Sequence, residues 1–221
     1  MARPLPRTFF ARDSDVVARD LLGRLLIHDS PRGRLSARIT ETEAYFGPAA
    51  CNQHLASRRD ISPGLRARLL EAGDPASHAF RGVTERNRLM FGPPGYWYVY
   101  FVYGMHECSN VVTGPKGGSG GFTPQSSSVE SEPQAVLLRA AAPVEGADLM
   151  PRVDLGGPAR LCQGLGITRA DNGRDATRPP LWFEAGKRVL DRDVQVTPRI
   201  GVKLGADLPL RFFVEPDDRT G

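Results

Sequence analysis

The sequence predicts an α+β fold: a single mixed domain with a curved, largely antiparallel sheet and helices at its periphery. Three observations carry this. At 221 residues, with 40% hydrophobic and 24% charged side chains, the chain has the size and ordinary composition of one globular domain. Several stretches alternate apolar and polar residues with a period of two, as half-buried strands do. The resulting order of strand, short helix, hairpin, strand, helix and further strands does not alternate regularly, which argues against a doubly wound parallel sheet.

Taken in order, residues 13–26 are expected to be helical, capped by Asp13 or Ser14, with Val16, Val17, Leu21, Leu22, Leu25 and Leu26 forming an apolar face. Residues 34–46 switch to a period of two, with Leu35, Ala37 and Ile39 on one face and Arg34, Ser36, Arg38, Thr40 and Thr42 on the other. Residues 61–73 predict a short helix with Ser62 as cap, Pro63 in the first turn and Gly73 as stop. Residues 96–113 are aromatic and β-branched, broken by Gly104, and predict a hairpin. The Gly/Ser-rich stretch 114–133 has no periodicity and predicts a flexible loop. A strand at 134–141, a helix opened by Gly157-Pro158, and two or three strands between 188 and 214 complete the domain.

Composition excludes several classes. Three cysteines (Cys51, Cys108, Cys162) at unrelated spacings rule out a disulfide framework and a CxxC zinc site, and suit a reducing compartment. No apolar run approaches the ~18 residues of a membrane span, and the N-terminus lacks a signal-peptide core, so a cytoplasmic protein is expected, nucleoid-associated if bacterial. No histidine pair has ligand spacing, so neither a metal nor a cofactor is expected. No G-x-S-x-G pattern, Walker loop or strand-linked GxGxxG stands out. The net charge of +4 comes from 26 arginines and only three lysines, Lys116, Lys187 and Lys203. That bias suits phosphate contacts, but GC-rich coding would also produce it, and charge alone decides nothing.

The strand at 34–46 carries an unusual feature. Its apolar row Leu35, Ala37, Ile39 continues in phase as Glu41, Glu43 and Tyr45. Burying a carboxylate costs several kcal/mol unless it is paired, and Arg139, alone in an apolar strand, is a partner that would keep Glu43 ionised as a general base. Tyr96, Tyr98 and Tyr100 share one face of the hairpin and offer a platform for a flat ring. Tyr103-Gly104-Met105 falls at its tip, where a large side chain can wedge between base steps. No lysine precedes Lys116, so base removal by water is favoured over Schiff-base chemistry. Two other readings remain: a sugar hydrolase using Glu41 and Glu43 as a carboxylate pair ~6.5 Å apart, and a non-catalytic nucleic-acid binder stacking bases on its tyrosines.

The chain resembles the alkyladenine (3-methyladenine) DNA glycosylase family, mammalian type. The resemblance is carried by Ala18–Arg24, Thr40-Glu41-Thr42-Glu43-Ala44-Tyr45, Asp74–Gly82, Arg86-Asn87, Met90–Gly95, Tyr98–Tyr100, Tyr103-Gly104-Met105, Asn110, Val136–Ala140, Leu161-Cys162-Gln163 and Thr197–Gly201. It implies a monofunctional DNA-repair hydrolase, acting as a monomer on double-stranded DNA, that flips alkylated or deaminated purines out of the duplex and leaves an abasic site. On the matching positions Glu43 is the general base and Arg139 its electrostatic partner. Tyr45, His78 and Tyr100 sandwich the flipped base, and His78 also hydrogen-bonds it. Asn110 crowds the 2-amino group of guanine, and Tyr103 is the DNA wedge. Two stretches depart from the pattern: an insert at 47–73, rich in arginine, and the 114–133 loop.

Overall fold

The computed structural model describes residues 3–102, 104–115 and 132–215. Four helices, α1 (Arg7–Phe10), α2 (Ser14–Leu21), α3 (Pro63–Glu71) and α4 (Pro158–Leu165), surround one eight-stranded antiparallel sheet. Its strands are β1 (Leu25–Ser30), β2 (Gly33–Tyr45), β3 (Trp97–Val102), β4 (His106–Thr113), β5 (Gln134–Glu145), β6 (Leu181–Glu184), β7 (Gln195–Thr197) and β8 (Arg211–Phe213). The order is β3-β4-β5-β2-β1-β6. β8 joins the far half of β2, opposite Glu41 to Glu43, and β7 pairs with β8. The α+β expectation therefore holds. Among the described residues no helix is long and apolar enough to cross a membrane.

The helix expected over 13–26 stops at Leu21, and Leu25 and Leu26 belong to β1. Gly23 forces the break: its φ is +79°, and a Cβ there would stand 2.2 Å from the Lys187 carbonyl oxygen. Asp13 occupies the N-cap position of α2, but its side chain makes no capping bond. It is drawn away by the 47–73 segment. The expected helix in that segment is α3, and the Ser62 hydroxyl accepts from Leu65 N as predicted. Of the tail strands expected after 188, β7 and β8 form, while β6 lies earlier than the alternation suggested. Residues 116–131 of the expected loop lie outside the described residues.

The main core lies between the sheet and α2 and α4, with Val17, Leu21, Leu35, Ile39, Val136, Leu138 and Leu161 buried together. Leu55, Ile61 and Leu69 of the 47–73 segment join it. Polar ties fasten the same segment. Asn52 Nδ2 bridges the carbonyls of Gly47 and Leu69. Arg58 binds Asp13 and Asp15, and Arg68 binds Asp207. The His54 ring lies between Asp13 Oδ1 (2.6 Å) and Glu132 Oε2 (2.5 Å). Nε2 hydrogen-bonds Asp13 and Nδ1 makes an ion-pair contact with Glu132, so the ring is an imidazolium between two carboxylates. Burial works against the charged ring, but the two carboxylates outweigh it and push His54 up to about 9.

A second tie is wholly buried. Arg199 Nη1 and Nη2 reach Asp74 Oδ2 and Oδ1, both at 2.7 Å, and neither side chain is exposed. Asp74 Oδ2 also accepts from Phe46 N at the end of β2, and Arg199 Nη1 donates to Ala44 O.

Two stability predictions follow from these ties. Asp74→Ala leaves a buried guanidinium unpaired, so a loss of about 3–5 kcal/mol is expected in denaturant unfolding, and Asp74→Ala/Arg199→Met should recover part of it. His54 titrates at 6.5 unfolded and about 9 folded. Its contribution is therefore complete below pH 6.5 and is lost as the pH rises through 9. Unfolding curves of the wild-type chain should show that loss, and those of His54→Asn should not.

Candidate active site

β2 is bulged beside Glu41 and Glu43. Its register against β5 runs Ile39↔Ala141, Glu41↔Ala140, Thr42↔Leu138, with shifts on either side of Glu41. Arg139 is the extra residue of the second shift, and this sets it beside both glutamates. The buried row consequently changes phase. Leu35, Ala37 and Ile39 face the core before the bulge, whereas Ala44 and Phe46 do so after it. Thr42 follows the new phase and donates its hydroxyl hydrogen to Ala18 O of α2. The expected continuous row is thus corrected: the bulge sends Glu43 and Tyr45 to the opposite face, where they border a cavity of about 750 Å³.

Glu43 is completely buried. The Tyr45 hydroxyl donates to its Oε2 at 2.8 Å, Ile200 N donates to Oε1 at 2.8 Å, and Arg139 Nη1 lies 3.3 Å from Oε1. A carboxylate has about four acceptor positions, so one remains open for a further donor. Burial, and then the Glu43 charge, push the Tyr45 hydroxyl far above its ordinary value, so it stays a donor. Arg199 lies over the Tyr45 ring, 4.5 Å from its centroid.

The facing wall comes from β3 and the loop after Asp74. Trp97 and Val99 turn into the main core, while Tyr98 and Tyr100 line the cavity. Tyr96, expected on the same face, is held elsewhere by Arg7, 4.6 Å from its ring centroid. His78 packs edge-on against Tyr100, with centroids 4.6 Å apart. Asn87 fixes its loop by donating from Nδ2 to the carbonyls of His78 and Gly82. Burial, and then the Arg86 cation, hold the imidazole of His78 below its ordinary value, so the ring is neutral at pH 7. Its Nδ1 lies 3.0 Å from the Tyr98 hydroxyl. Burial raises that hydroxyl to about 12, although the Arg86 and Arg169 cations act in the opposite direction. Asn110 lies opposite Tyr98 on β4, and its Nδ2 donates to Tyr98 O.

Six of the seven residues singled out in the sequence (Glu43, Arg139, Tyr45, His78, Tyr100 and Asn110) thus border one cavity. The seventh, Tyr103, lies outside the described residues; its chain neighbours Val102 and Gly104 border the cavity. Sequence reasoning missed the Ile200 amide and the bracing Arg199 and Arg86. It also missed Lys203, which borders the cavity although every lysine lies far along the chain from the glutamates. Glu41 is not free to act as the second carboxylate of a sugar hydrolase. Its Oε1 accepts from Arg139 Nε at 2.7 Å and Arg211 Nε at 2.6 Å. Burial opposes its charge, but the two arginines outweigh burial and hold it below the usual carboxylate range, so it has no proton to give at neutral pH.

Comparison with known proteins identifies the family. The family model for methylpurine-DNA glycosylase (MPG) matches residues 8–122 and 124–218. A protein of Carboxydothermus hydrogenoformans is 40% identical over 220 residues, covering 96% of this chain and 95% of its own. Proteins of Streptomyces avermitilis (40% over 227 residues, 97% and 89% covered) and Myxococcus xanthus (41% over 213 residues, 95% and 89% covered) are similar to it. All three carry the name "Putative 3-methyladenine DNA glycosylase". The chain belongs to the methylpurine-DNA glycosylase family.

Proposed function

We propose that this glycosylase extracts alkylated or deaminated purines from duplex DNA into the cavity beside β2 and hydrolyses their N-glycosidic bond with water activated by Glu43. The observation that carries this reading is a fully buried carboxylate on the wall of an aromatic-lined cavity, with a guanidinium 3.3 Å away and one acceptor position open. Family membership makes DNA the polymer. The cavity volume lies in the range of small-ligand pockets.

Extraction costs a few kcal/mol and costs least for damaged or badly paired bases. In the cavity a purine stacks between Tyr45 and the His78–Tyr100 wall, and a cationic alkylpurine gains most from such electron-rich rings. His78 hydrogen-bonds the base, and Asn110 crowds a 2-amino group. Glu43 then takes one proton from water, the oxygen bonds to C1′, and the C1′–N bond pair leaves with the purine. Arg139, 3.3 Å from Glu43, is its electrostatic partner. A cationic purine departs neutral. A neutral one such as hypoxanthine needs a proton from elsewhere. Tyr103 fills the vacated stack. The chain acts as a monomer, without lyase activity.

The test is excision from duplexes carrying hypoxanthine or a methylated purine, followed by strand scission. Scission only after alkali is expected, with Glu43→Gln slower by at least a hundredfold. Full activity in Glu43→Gln overturns the base assignment. Scission without alkali that disappears in Lys203→Met overturns the monofunctional reading and makes the cavity lysine a Schiff-base nucleophile.

A further inference from the structure

Two carboxylates project from β2 near the cavity, and the chemistry above uses only Glu43. Glu41 is conspicuously held. One of its oxygens accepts from the Nε of two arginines on two different strands, Arg139 of β5 and Arg211 of β8. The same bulge that places Arg139 between the glutamates makes this possible. Arg211 is fixed further by donating from Nη1 to Thr197 Oγ1 and by packing 4.3 Å above the Phe213 ring centroid.

We propose that Glu41 is a positioning residue for the excision reaction: by holding the Nε edges of Arg139 and Arg211 on one oxygen, it turns the outer edge of Arg139 toward Glu43 and cancels the second positive charge. The inference rests on Glu43 being the base.

The geometry supports each part. A guanidinium presents its donors in a fixed planar fork, so anchoring Nε sets where the other nitrogens lie. With Arg139 Nε on Glu41, its Nη1 reaches Glu43 at 3.3 Å. Charge balance supports the second part. Arg211 stands directly across β8 from Glu43 in the strand register. A carboxylate flanked by two uncompensated guanidinium groups loses proton affinity and becomes a poor base. Two glutamates and two arginines leave the group neutral. The other groups facing Glu43 are Tyr45 on its own strand, Arg199 with the Ile200 amide, Tyr100 on β3 and Cys108 on β4. Arg199 is already neutralised by Asp74. The tyrosines and Cys108 stay uncharged at pH 7, since burial raises all three and puts Cys108 at about 11.

The experiment is single-turnover excision of hypoxanthine from a duplex across the pH range, with duplex affinity measured separately. Glu41→Gln should lower the maximal rate about ten- to a hundredfold, since small misplacements of catalytic groups cost that much. It should leave duplex affinity unchanged and move the acid limb to lower pH, because Glu43 then faces two positive charges. Glu41→Asp should recover part of the rate. Arg211→Gln should move the acid limb the other way, and it decides the matter if Glu41→Gln does not fold. A Glu41→Gln protein with wild-type rate and limb overturns the inference. So does a lowered melting temperature with rate and limb unchanged, or a limb that moves the same way in both variants. A Glu43→Gln protein with wild-type rate sinks the underlying assignment of the base instead.

Discussion

The buried pair Asp74–Arg199 is the interaction on which the rest of the site depends. Arg199 has no exposed side-chain surface, so its charge is tolerable only because Asp74 meets it with two bonds of 2.7 Å. From that position it ties three pieces together. Its Nη1 holds the Ala44 carbonyl on β2, and its plane covers Tyr45. The residue after it delivers the amide that binds Glu43. Asp74 in turn begins the loop that carries His78. The two walls of the cavity and the carboxylate between them are therefore set by one buried ion pair.

The second constraint is the bulge in β2, and it shows where the sequence could and could not be read. Period-two alternation over 34–46 gave the strand correctly. It also implied one continuous face from Leu35 to Tyr45. The bulge moves the core-facing row from odd to even positions, but Thr42 and Ala44 are weak apolar marks of the new phase, and the register with the partner strand is what reveals it. The consequence is chemical. Without the change of phase Glu43 would face α2 and the core, where Thr42 now sits. Helix α2 was misjudged for a related reason. Leu25 and Leu26 fit a helical face, but Gly23 must lie against the Lys187 carbonyl, a constraint from a segment far along the chain.

Within the site, legibility followed chemical rarity. A glutamate in an apolar row, a lone arginine in an apolar strand and clustered tyrosines are costly choices for a core and were visible as such. Asn110 and the stacking role of His78 entered only through family resemblance, since a single asparagine or histidine is ordinary. The Ile200 amide had no signature, as every residue but proline carries one. Arg199, Arg86 and Lys203 were lost among 29 basic residues because their partners are distant in sequence. The link of His54 to Asp13 and Glu132 was hidden in the same way.

Excision by Glu43 requires a damaged purine in the cavity beside it. The most direct measurement is the crystal structure of Glu43→Gln bound to a duplex carrying hypoxanthine. The base should lie between Tyr45 and the His78–Tyr100 wall, with C1′ of its sugar facing residue 43 and the Asp74–Arg199 pair unchanged. A lesion still stacked in the duplex, with no base in the cavity, would contradict it.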